Sequence, residues 1–250
     1  MKLFFLSVIF VFGILIGSFL NVCIYRIPRK ESIVWTRSHC MGCGYQLAWF
    51  DNIPLFSYLI LKGKCRKCHQ RISLQYPLIE ALNALLYVLV FIVNGDSVTS
   101  VLYCFATSAL IVLSVIDWRT YEIPMGINIF LFVLGMMKVI LDYANWSDYV
   151  IGFFAVSSFL FVLFLFTKGR GIGFGDIKLM AACGLLLGWK LIILALFVGC
   201  ILGSIIHIIR MKVSKVDHVL AFGPYLALGI YLSMLFGNQF WNWYLAFGMS

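Results

Sequence analysis

Long apolar runs alternate with short polar segments along almost the whole chain. A membrane-spanning helix needs about 20 predominantly apolar residues, and most of the runs approach that length. They cover roughly residues 3–25, 77–94, 98–116, 123–142, 147–167, 177–189, 191–209 and 219–236, and the run at 177–189 is the shortest. The pattern therefore predicts an all-α, polytopic membrane protein with about eight transmembrane helices.

The composition supports this prediction and excludes a soluble fold. Of the 250 residues, 63% are hydrophobic and only 12% are charged, and a soluble domain cannot bury that much apolar surface. The net charge of +9 would suggest nucleic-acid binding in a soluble protein. In a membrane protein, however, basic residues collect on cytoplasmic loops that face anionic lipid. We therefore expect contact with membrane lipid and no nucleic-acid partner.

The chain has one sizeable hydrophilic region. Nine of the 19 Lys and Arg residues lie in it, between Arg26 and Arg71. The apolar run before it resembles a signal peptide, but the run is long and no small-residue cleavage site follows. We therefore predict a retained first transmembrane helix at residues 1–25, a small cytoplasmic loop domain at residues 26–76 and a transmembrane core at residues 77–250.

The charges of the loops predict the orientation in the membrane, because cytoplasmic loops carry an excess of Lys and Arg. Two loops, near residues 94–97 and 142–147, lack basic residues and contain Asp96 and Asp142. The remaining loops are basic and contain Arg119, Lys168, Arg170, Arg210, Lys212 and Lys215 in addition to the nine residues above. This alternation places the basic loops in the cytoplasm and both termini outside.

Two aspartates at the edges of apolar runs are the candidate catalytic residues. Asp117 follows one run and Asp176 precedes another, and the predicted topology places both at the cytoplasmic edge of the membrane. Acids beside lipid are costly and usually functional. Two close carboxylates share a proton, activate water and protonate a leaving amine. Gly173 and Gly175 give the neighbouring loop the freedom to admit an extended substrate strand.

Each acid also has a structural interpretation. Asp176 can cap the helix that it opens, and Asp117 can form a surface ion pair with Arg119. Two other functions also fit membrane acids. A secondary transporter places acids beside broken helices, but the chain has no evident internal repeat and the acids lie at the membrane edge. A non-enzymatic assembly platform would dock partners through the hydrophilic loop and would not need the two aspartates.

The hydrophilic loop contains two Cys-x-x-Cys pairs, Cys40/Cys43 and Cys65/Cys68, separated by 21 residues. This spacing is typical of a zinc site with four thiolate ligands. A reducing cytosol disfavours disulfides, and four thiolates leave no open position on the metal, so we expect structural zinc. Glu80, at the cytoplasmic edge of the next run, either pairs with a basic residue of the loop or has a function of its own.

Together these motifs resemble the prepilin peptidases, also called type IV leader peptidases, which are membrane aspartic proteases with a Gly-x-Gly-Asp motif. The resemblance runs nearly end to end. It is carried by Asp117 with Ile123-Pro124, by Gly173–Lys178, by the two cysteine pairs, and by the segments Gly17–Val22, Tyr25–Arg29, Arg37–Cys40, Leu47–Pro54, Tyr76–Glu80 and Phe222–Ala227. Met41 and Met125 stand where the family pattern leads us to expect proline and asparagine.

The resemblance implies the substrate and the reaction. The substrate would be a prepilin or pseudopilin, cleaved between a basic leader ending in glycine and a hydrophobic helix, at the cytoplasmic face of the bacterial inner membrane. Many members then N-methylate the new terminus with S-adenosylmethionine, an activity usually assigned to the region of the cysteine loop. We therefore expect a bifunctional enzyme, with a peptidase alone as the alternative. No Gly-rich nucleotide motif is present, so Asp51 and Glu80 are only candidates for binding the methyl donor.

Overall fold

The computed structural model describes residues 1–35, 37–169, 171–214 and 221–248. Arg170 and Lys215, which contribute to the predicted charge alternation, lie outside the described residues. The first two residues of the predicted last run, 219 and 220, also lie outside them.

Helices account for most of the described chain, and no strand occurs in it beyond two isolated bridges in the cysteine loop. The eight predicted apolar runs correspond to eight long helices, and one short helix, α2, lies in the hydrophilic loop. The helices are α1 (Lys2–Arg26), α2 (Phe56–Ile60), α3 (Gln75–Asn94), α4 (Val98–Thr120), α5 (Met125–Leu141), α6 (Trp146–Phe166), α7 (Phe174–Leu187), α8 (Trp189–Ser214) and α9 (Gly223–Gly248). The predicted all-α class is confirmed.

Five segments in the described part of the chain are long and apolar enough to cross a membrane, which confirms a multi-pass membrane protein. They are Lys2–Arg26, Gln75–Asn94, Val98–Thr120, Tyr143–Phe166 and Trp189–Met211. Helix α5 is apolar but shorter. The total of eight spans stays a prediction.

The chain forms two compact units, residues 1–92 and residues 93–250. The first contains α1, the cysteine loop with α2, and most of α3, and the second contains α4 to α9. The predicted domain boundaries after residues 25 and 76 stay predictions.

In the first unit, α1 and α3 pack at two glycines spaced four residues apart. A Cβ added at Gly13 would lie 2.5 Å from the Cα of Ala84, and one added at Gly17 would lie 2.7 Å from the Cα of Glu80. The Asn83 amide donates a hydrogen bond of 2.8 Å to the Gly13 carbonyl across the same contact. Small residues at this spacing let two membrane helices approach closely, so the pair brings α1 against the start of α3.

We expect Gly17→Leu to destabilise the first unit, because the side chain would meet the α3 backbone rather than a movable side chain. Overpacking costs about 1–3 kcal/mol, which lowers the melting temperature by about 2–10 °C in a chain of this size. Thermal unfolding of the detergent-solubilised protein measures this change. Gly126→Leu is the control, because a Cβ at Gly126 meets nothing within 4 Å. Equal melting temperatures for the two variants would contradict the packing described above.

In the second unit, α7 lies between its neighbours. Eleven of its 14 residues are buried, and it packs against α5, α6 and α8. Gly152 of α6 and Gly184 of α7 face each other so closely that a Cβ on either would collide with the carbonyl oxygen of the other. Helix α9 packs against α4 and α8. This packing fixes the first turn of α7, which carries Asp176.

Candidate active site and metal centre

Asp117 lies in the last turn of α4, where its side chain is buried. The residue is only 5% exposed, and its Oδ2 accepts a hydrogen bond of 2.9 Å from the backbone N–H of Gly223 at the start of α9. A Cβ at residue 223 would lie 2.7 Å from the same oxygen. Because Asp117 is buried, it does not form the surface ion pair with Arg119 that was one interpretation of the sequence. The short Cβ distance at residue 223 shows that only glycine fits beside the carboxylate.

Asp176 lies in the first turn of α7 and is 7% exposed. Its Oδ2 accepts a hydrogen bond of 3.2 Å from the backbone N–H of Gly173, so it does help to cap the helix that it opens. The charge of Asp117 nevertheless acts on the Asp176 carboxyl group. Capping occupies only one carboxylate oxygen of Asp176, so it leaves the other oxygen available for chemistry.

The two carboxylates share one arrangement. Each has one oxygen bound by a glycine N–H, and neither has a side-chain hydrogen-bond donor among the described residues. Two buried carboxylates that lie close together do not both ionise without a large cost, so a pair of this kind would retain a proton. One unprotonated and one protonated carboxyl group provide a general base and a general acid in a single site.

The loop before α7 passes close to the segment before α5. A Cβ added at Gly175 would lie 2.9 Å from the Cβ of Ile123, so glycine is needed for this contact. Lys178, one turn into α7, reaches the sulfur of Met125 at 3.5 Å and lies 4.6 Å from the ring centroid of Phe174. The predicted Gly-x-Gly-Asp segment and the Ile-Pro segment that follows α4 therefore border one site.

The four predicted metal ligands come together in the first unit. The Sγ atoms of Cys40, Cys43, Cys65 and Cys68 all lie within 4.8 Å of one another. The Cys40–Cys68 and Cys43–Cys65 separations are 3.7 and 4.0 Å. A tetrahedral ion with Zn–S bonds of about 2.3 Å requires sulfurs about 3.8 Å apart, so the cluster fits zinc.

The two halves of the cluster have the same backbone geometry, 25 residues apart in the chain. In each half the N–H of the first cysteine donates to the carbonyl five residues later, and its own carbonyl accepts from the N–H four residues later. These bonds are Cys40–Tyr45, Gly44–Cys40, Cys65–Gln70 and His69–Cys65, at 2.8 to 3.0 Å. The residue after each pair is left-handed, with φ of 68° at Gly44 and 57° at His69. The repeat explains how two short loops would bind one ion from opposite sides.

The thiols of the cluster differ in acidity. Hydrogen bonds from the backbone of Gly42 and Cys43 lower the pKa of Cys40 to about 6. A backbone hydrogen bond at Gln70 acts in the same direction on Cys68, but desolvation and the neighbouring thiols raise the pKa of Cys68 to about 12. Four crowded thiols therefore do not all ionise on their own, and a divalent cation would stabilise the fully deprotonated set.

A cavity of about 410 Å³ in the first unit is lined by both candidate residues for the methyl donor, Asp51 and Glu80. The Asp51 carboxylate already has protein partners, because it accepts hydrogen bonds from Arg66 Nε at 2.8 Å and from the Ala48 N–H at 3.3 Å. Glu80 accepts a hydrogen bond of 2.8 Å from the Leu55 N–H. The basic partner that was one expectation for Glu80 is absent among the described residues.

Comparisons with known proteins give one family match in each of the two units. Residues 104–208 match the type IV leader peptidase family, and residues 11–94 match the bacterial peptidase A24 N-terminal domain. The prepilin leader peptidase/N-methyltransferase of Bacillus subtilis is 33% identical over 248 residues, covering 98% of this chain and 100% of that protein. The protein of the same name from Pseudomonas putida is 30% identical over 267 residues, covering 94% and 92%.

The chain belongs to the type IV leader peptidase family. No solved structure gives a significant match. Membership makes this leader peptidase a membrane-embedded enzyme, so the transporter and the non-enzymatic platform are both wrong.

In this leader peptidase the predicted residues therefore fall into separate groups. Asp117 and Asp176, with Gly173 and Gly175, lie in the second unit, and the four cysteines, Asp51 and Glu80 lie in the first. The sequence reasoning missed Gly223 as the donor to Asp117. A Gly-Pro pair at the start of a helix was visible at residues 223 and 224, but a bond made by a backbone N–H is not encoded in side-chain chemistry.

Proposed function

We propose that this leader peptidase removes the basic leader of a type IV prepilin or pseudopilin by cutting after a glycine, with Asp117 and Asp176 activating the water. The observation that carries the proposal is the arrangement of the two acids. Both are buried, each keeps one carboxylate oxygen without a main-chain donor, and Gly175 brings the start of α7 against Ile123 in the segment that follows Asp117.

The reaction needs no covalent intermediate. The unprotonated carboxylate takes a proton from water as the water oxygen attacks the carbonyl carbon of the scissile peptide, while the protonated carboxyl group stabilises the developing charge on the carbonyl oxygen. The carbon–nitrogen bond then breaks, and a proton passes from the acid pair to the leaving amine. General acid–base steps of this kind contribute about 10²–10⁴-fold each to the rate.

The loop around Gly173 and Gly175 would admit the substrate. A peptide bond inside a helix is shielded by its own hydrogen bonds, so the cleaved segment must be extended. Glycine presents no Cβ to an approaching strand, and Gly173 is exposed. Recognition would come chiefly from the hydrophobic helix of the substrate, because the many basic residues of the enzyme do not attract a basic leader.

We place the reaction at the cytoplasmic face of the bacterial inner membrane. The basic loop domain and the loop of Arg119 assign this side by the positive-inside rule, and Asp117 and Asp176 lie at helix ends on the side of that loop. A topology reporter fused within the loop near residue 96 should be external, whereas one fused within the cysteine loop should be cytoplasmic.

The second proposed activity is methylation of the new N-terminus, with S-adenosylmethionine supplying the methyl group. Its support is the name of the relatives, which are N-methyltransferases as well as peptidases, and the cavity in the first unit. Structural zinc held by Cys40, Cys43, Cys65 and Cys68 would fix the cysteine loop, which contributes much of the cavity wall.

Co-expression with a model prepilin tests both activities. We expect a shift to lower mass on a gel, and mass spectrometry of the mature N-terminus should show the addition of one methyl group. An unprocessed substrate would contradict the peptidase proposal. A processed but unmethylated terminus would show that this chain is a peptidase alone.

A further inference from the structure

A strained turn lies in the wall of the cavity of the first unit. Leu55 has φ of 60° and ψ of −52°, and the N–H of Phe56 donates to the carbonyl of Pro54 at 2.6 Å. Together these values define the rarer, strained form of the three-residue γ-turn. A residue other than glycine in such a conformation costs about 1–3 kcal/mol and is often found at functional sites.

The central residue of the strained turn, Leu55, donates its backbone N–H to Glu80. The Leu55 N–H donates to Glu80 Oε2 at 2.8 Å, and Ser18 of α1 lines the same cavity as Glu80. Glu80 is 6% exposed, and Gly17 lets the α1 backbone approach it closely. Three separate segments of the first unit, around residues 17, 55 and 80, therefore meet at one residue whose carboxylate lines the cavity.

Glu80 forms no ion pair within the described residues. The ion pairs within the described residues are Arg66–Asp51 and Lys138–Asp142, so Asp51 in the same cavity is neutralised and Glu80 is not. The Leu55 N–H can only donate, and donation stabilises the ionised form of a carboxylate. A buried carboxylate with hydrogen bonds but no counter-charge is costly, and a cationic ligand in the cavity would offset that cost.

The cavity is suited to the end of a peptide. Its volume of about 410 Å³ lies within the range of about 300–1,000 Å³ typical of ligand pockets. Apolar side chains, including Val22, Tyr25, Ile53 and Ile72, line it together with Glu80. Arg26, Arg66 and Arg71 also line the cavity, and Arg66 is paired with Asp51. A largely apolar wall with a buried carboxylate that forms no ion pair in the described part of the chain is complementary to a hydrophobic first residue that carries a free α-ammonium group.

We infer that Glu80 binds the α-ammonium group of the cleaved substrate and accepts its proton before methyl transfer. The inference rests on the proposed methyltransferase activity. The proton passes from the ammonium nitrogen to the Glu80 carboxylate, which leaves a lone pair on nitrogen. That lone pair forms the new nitrogen–carbon bond as the methyl–sulfur bond of the donor breaks, and the electron pair of that bond stays on sulfur. Glu80 then returns its proton to water.

Binding without any methyl donor tests this role. Two peptides are compared, both with the N-terminal sequence of the mature model pilin, one with a free amine and one N-acetylated. The full-length protein in detergent should prefer the free amine by about tenfold or more, the effect of a charge-assisted hydrogen bond. Glu80→Gln should abolish that preference. Asp96→Asn, at an exposed loop position, should keep it.

Other variants make the test specific to Glu80. Glu80→Asp retains the negative charge, but its shorter side chain moves the carboxylate away from the cavity, so this variant should show a reduced preference for the free amine. If Glu80→Gln does not fold, the Glu80→Asp variant tests the inference instead. Asp51→Asn should keep the preference, because Arg66 occupies Asp51. An unchanged preference in both Glu80 variants would overturn the inference. Weaker binding of S-adenosylmethionine alone, with the amine preference intact, would overturn it too and assign Glu80 to the donor.

The same variants separate this inference from the proposed function. With the co-expressed prepilin, Glu80→Gln should still cleave but should leave the mature N-terminus largely unmethylated. If the wild-type protein never methylates, the methyltransferase proposal fails, whereas the peptide comparison still shows whether Glu80 recognises the amine.

Discussion

Asp176→Asn is expected to abolish prepilin cleavage while the protein still folds and inserts. The amide oxygen of asparagine can accept the N–H of Gly173 as the carboxylate does, so the cap of α7 survives. Asparagine cannot take up or release a proton, so the general acid–base chemistry is lost. We expect a fall of about 10³-fold or more in the rate of processing, measured with purified enzyme and a model prepilin. Asp117→Asn should have the same effect.

The two changes should not be additive. Residues that act as one unit lose nearly all activity with the first substitution, so the double variant should be about as slow as either single variant. Asp96→Asn is the matched control, because Asp96 is an exposed aspartate outside the site. If either Asp117→Asn or Asp176→Asn processes prepilin at a rate close to that of the wild-type protein, the acid pair is not the catalytic machinery.

Loss of the first cysteine pair is expected to have the second largest effect. The double variant Cys40→Ser, Cys43→Ser removes two of four ligands, so bound zinc should disappear from the purified protein. The second pair also contains Arg66, whose guanidinium pairs with Asp51 in the cavity wall at 2.8 Å. Loosening the cluster should therefore disturb the cavity, and methylation of the mature N-terminus should fall at least as much as cleavage.

Metal analysis and thermal unfolding provide the measurements for this prediction. Cys200→Ser is the control, because Cys200 is an exposed cysteine of α8 outside the cluster. Prolonged treatment of the wild-type protein with a strong chelator should reproduce the effect of the double variant. Wild-type protein that contains no zinc, or a double variant with normal methylation, would rule out a structural metal centre.

The helices were predictable because hydropathy marks nearly every one of them, but their ends were not. The run that ends at residue 116 continues as helix to Thr120, so Asp117 lies inside the last turn. The run that ends at residue 236 continues to Gly248. Polar and aromatic residues such as Asn238 and Trp241 lower the hydropathy without breaking backbone hydrogen bonds, so an apolar pattern underestimates helix length.

The candidate sites were predictable where chemistry resides in side chains. The spacing of Cys40, Cys43, Cys65 and Cys68 indicated a cluster, and the structure brings their sulfurs together. For Glu80 the sequence suggested a basic partner or a function, whereas the structure places a backbone N–H of Leu55 on it. The strained turn that supplies this donor depends on φ and ψ, which the sequence alone does not reveal.

The main-chain origin of the bonds to Asp117 and Asp176 affects how the family can diverge. Only proline removes a peptide N–H, so substitutions around the two acids leave both donors in place, except at the donor glycines themselves. A Cβ at Gly223 or Gly173 would lie 2.7 or 3.1 Å from the carboxylate oxygen that the residue binds. Proteins that share about a third of their residues, as this chain and its Bacillus subtilis relative do, can therefore preserve the same polar environment around their acids. Protein engineers who wish to change the acidity of these aspartates would have to replace a donor glycine or shift a helix terminus, because other nearby side chains in the described part of the chain do not bind the carboxylates.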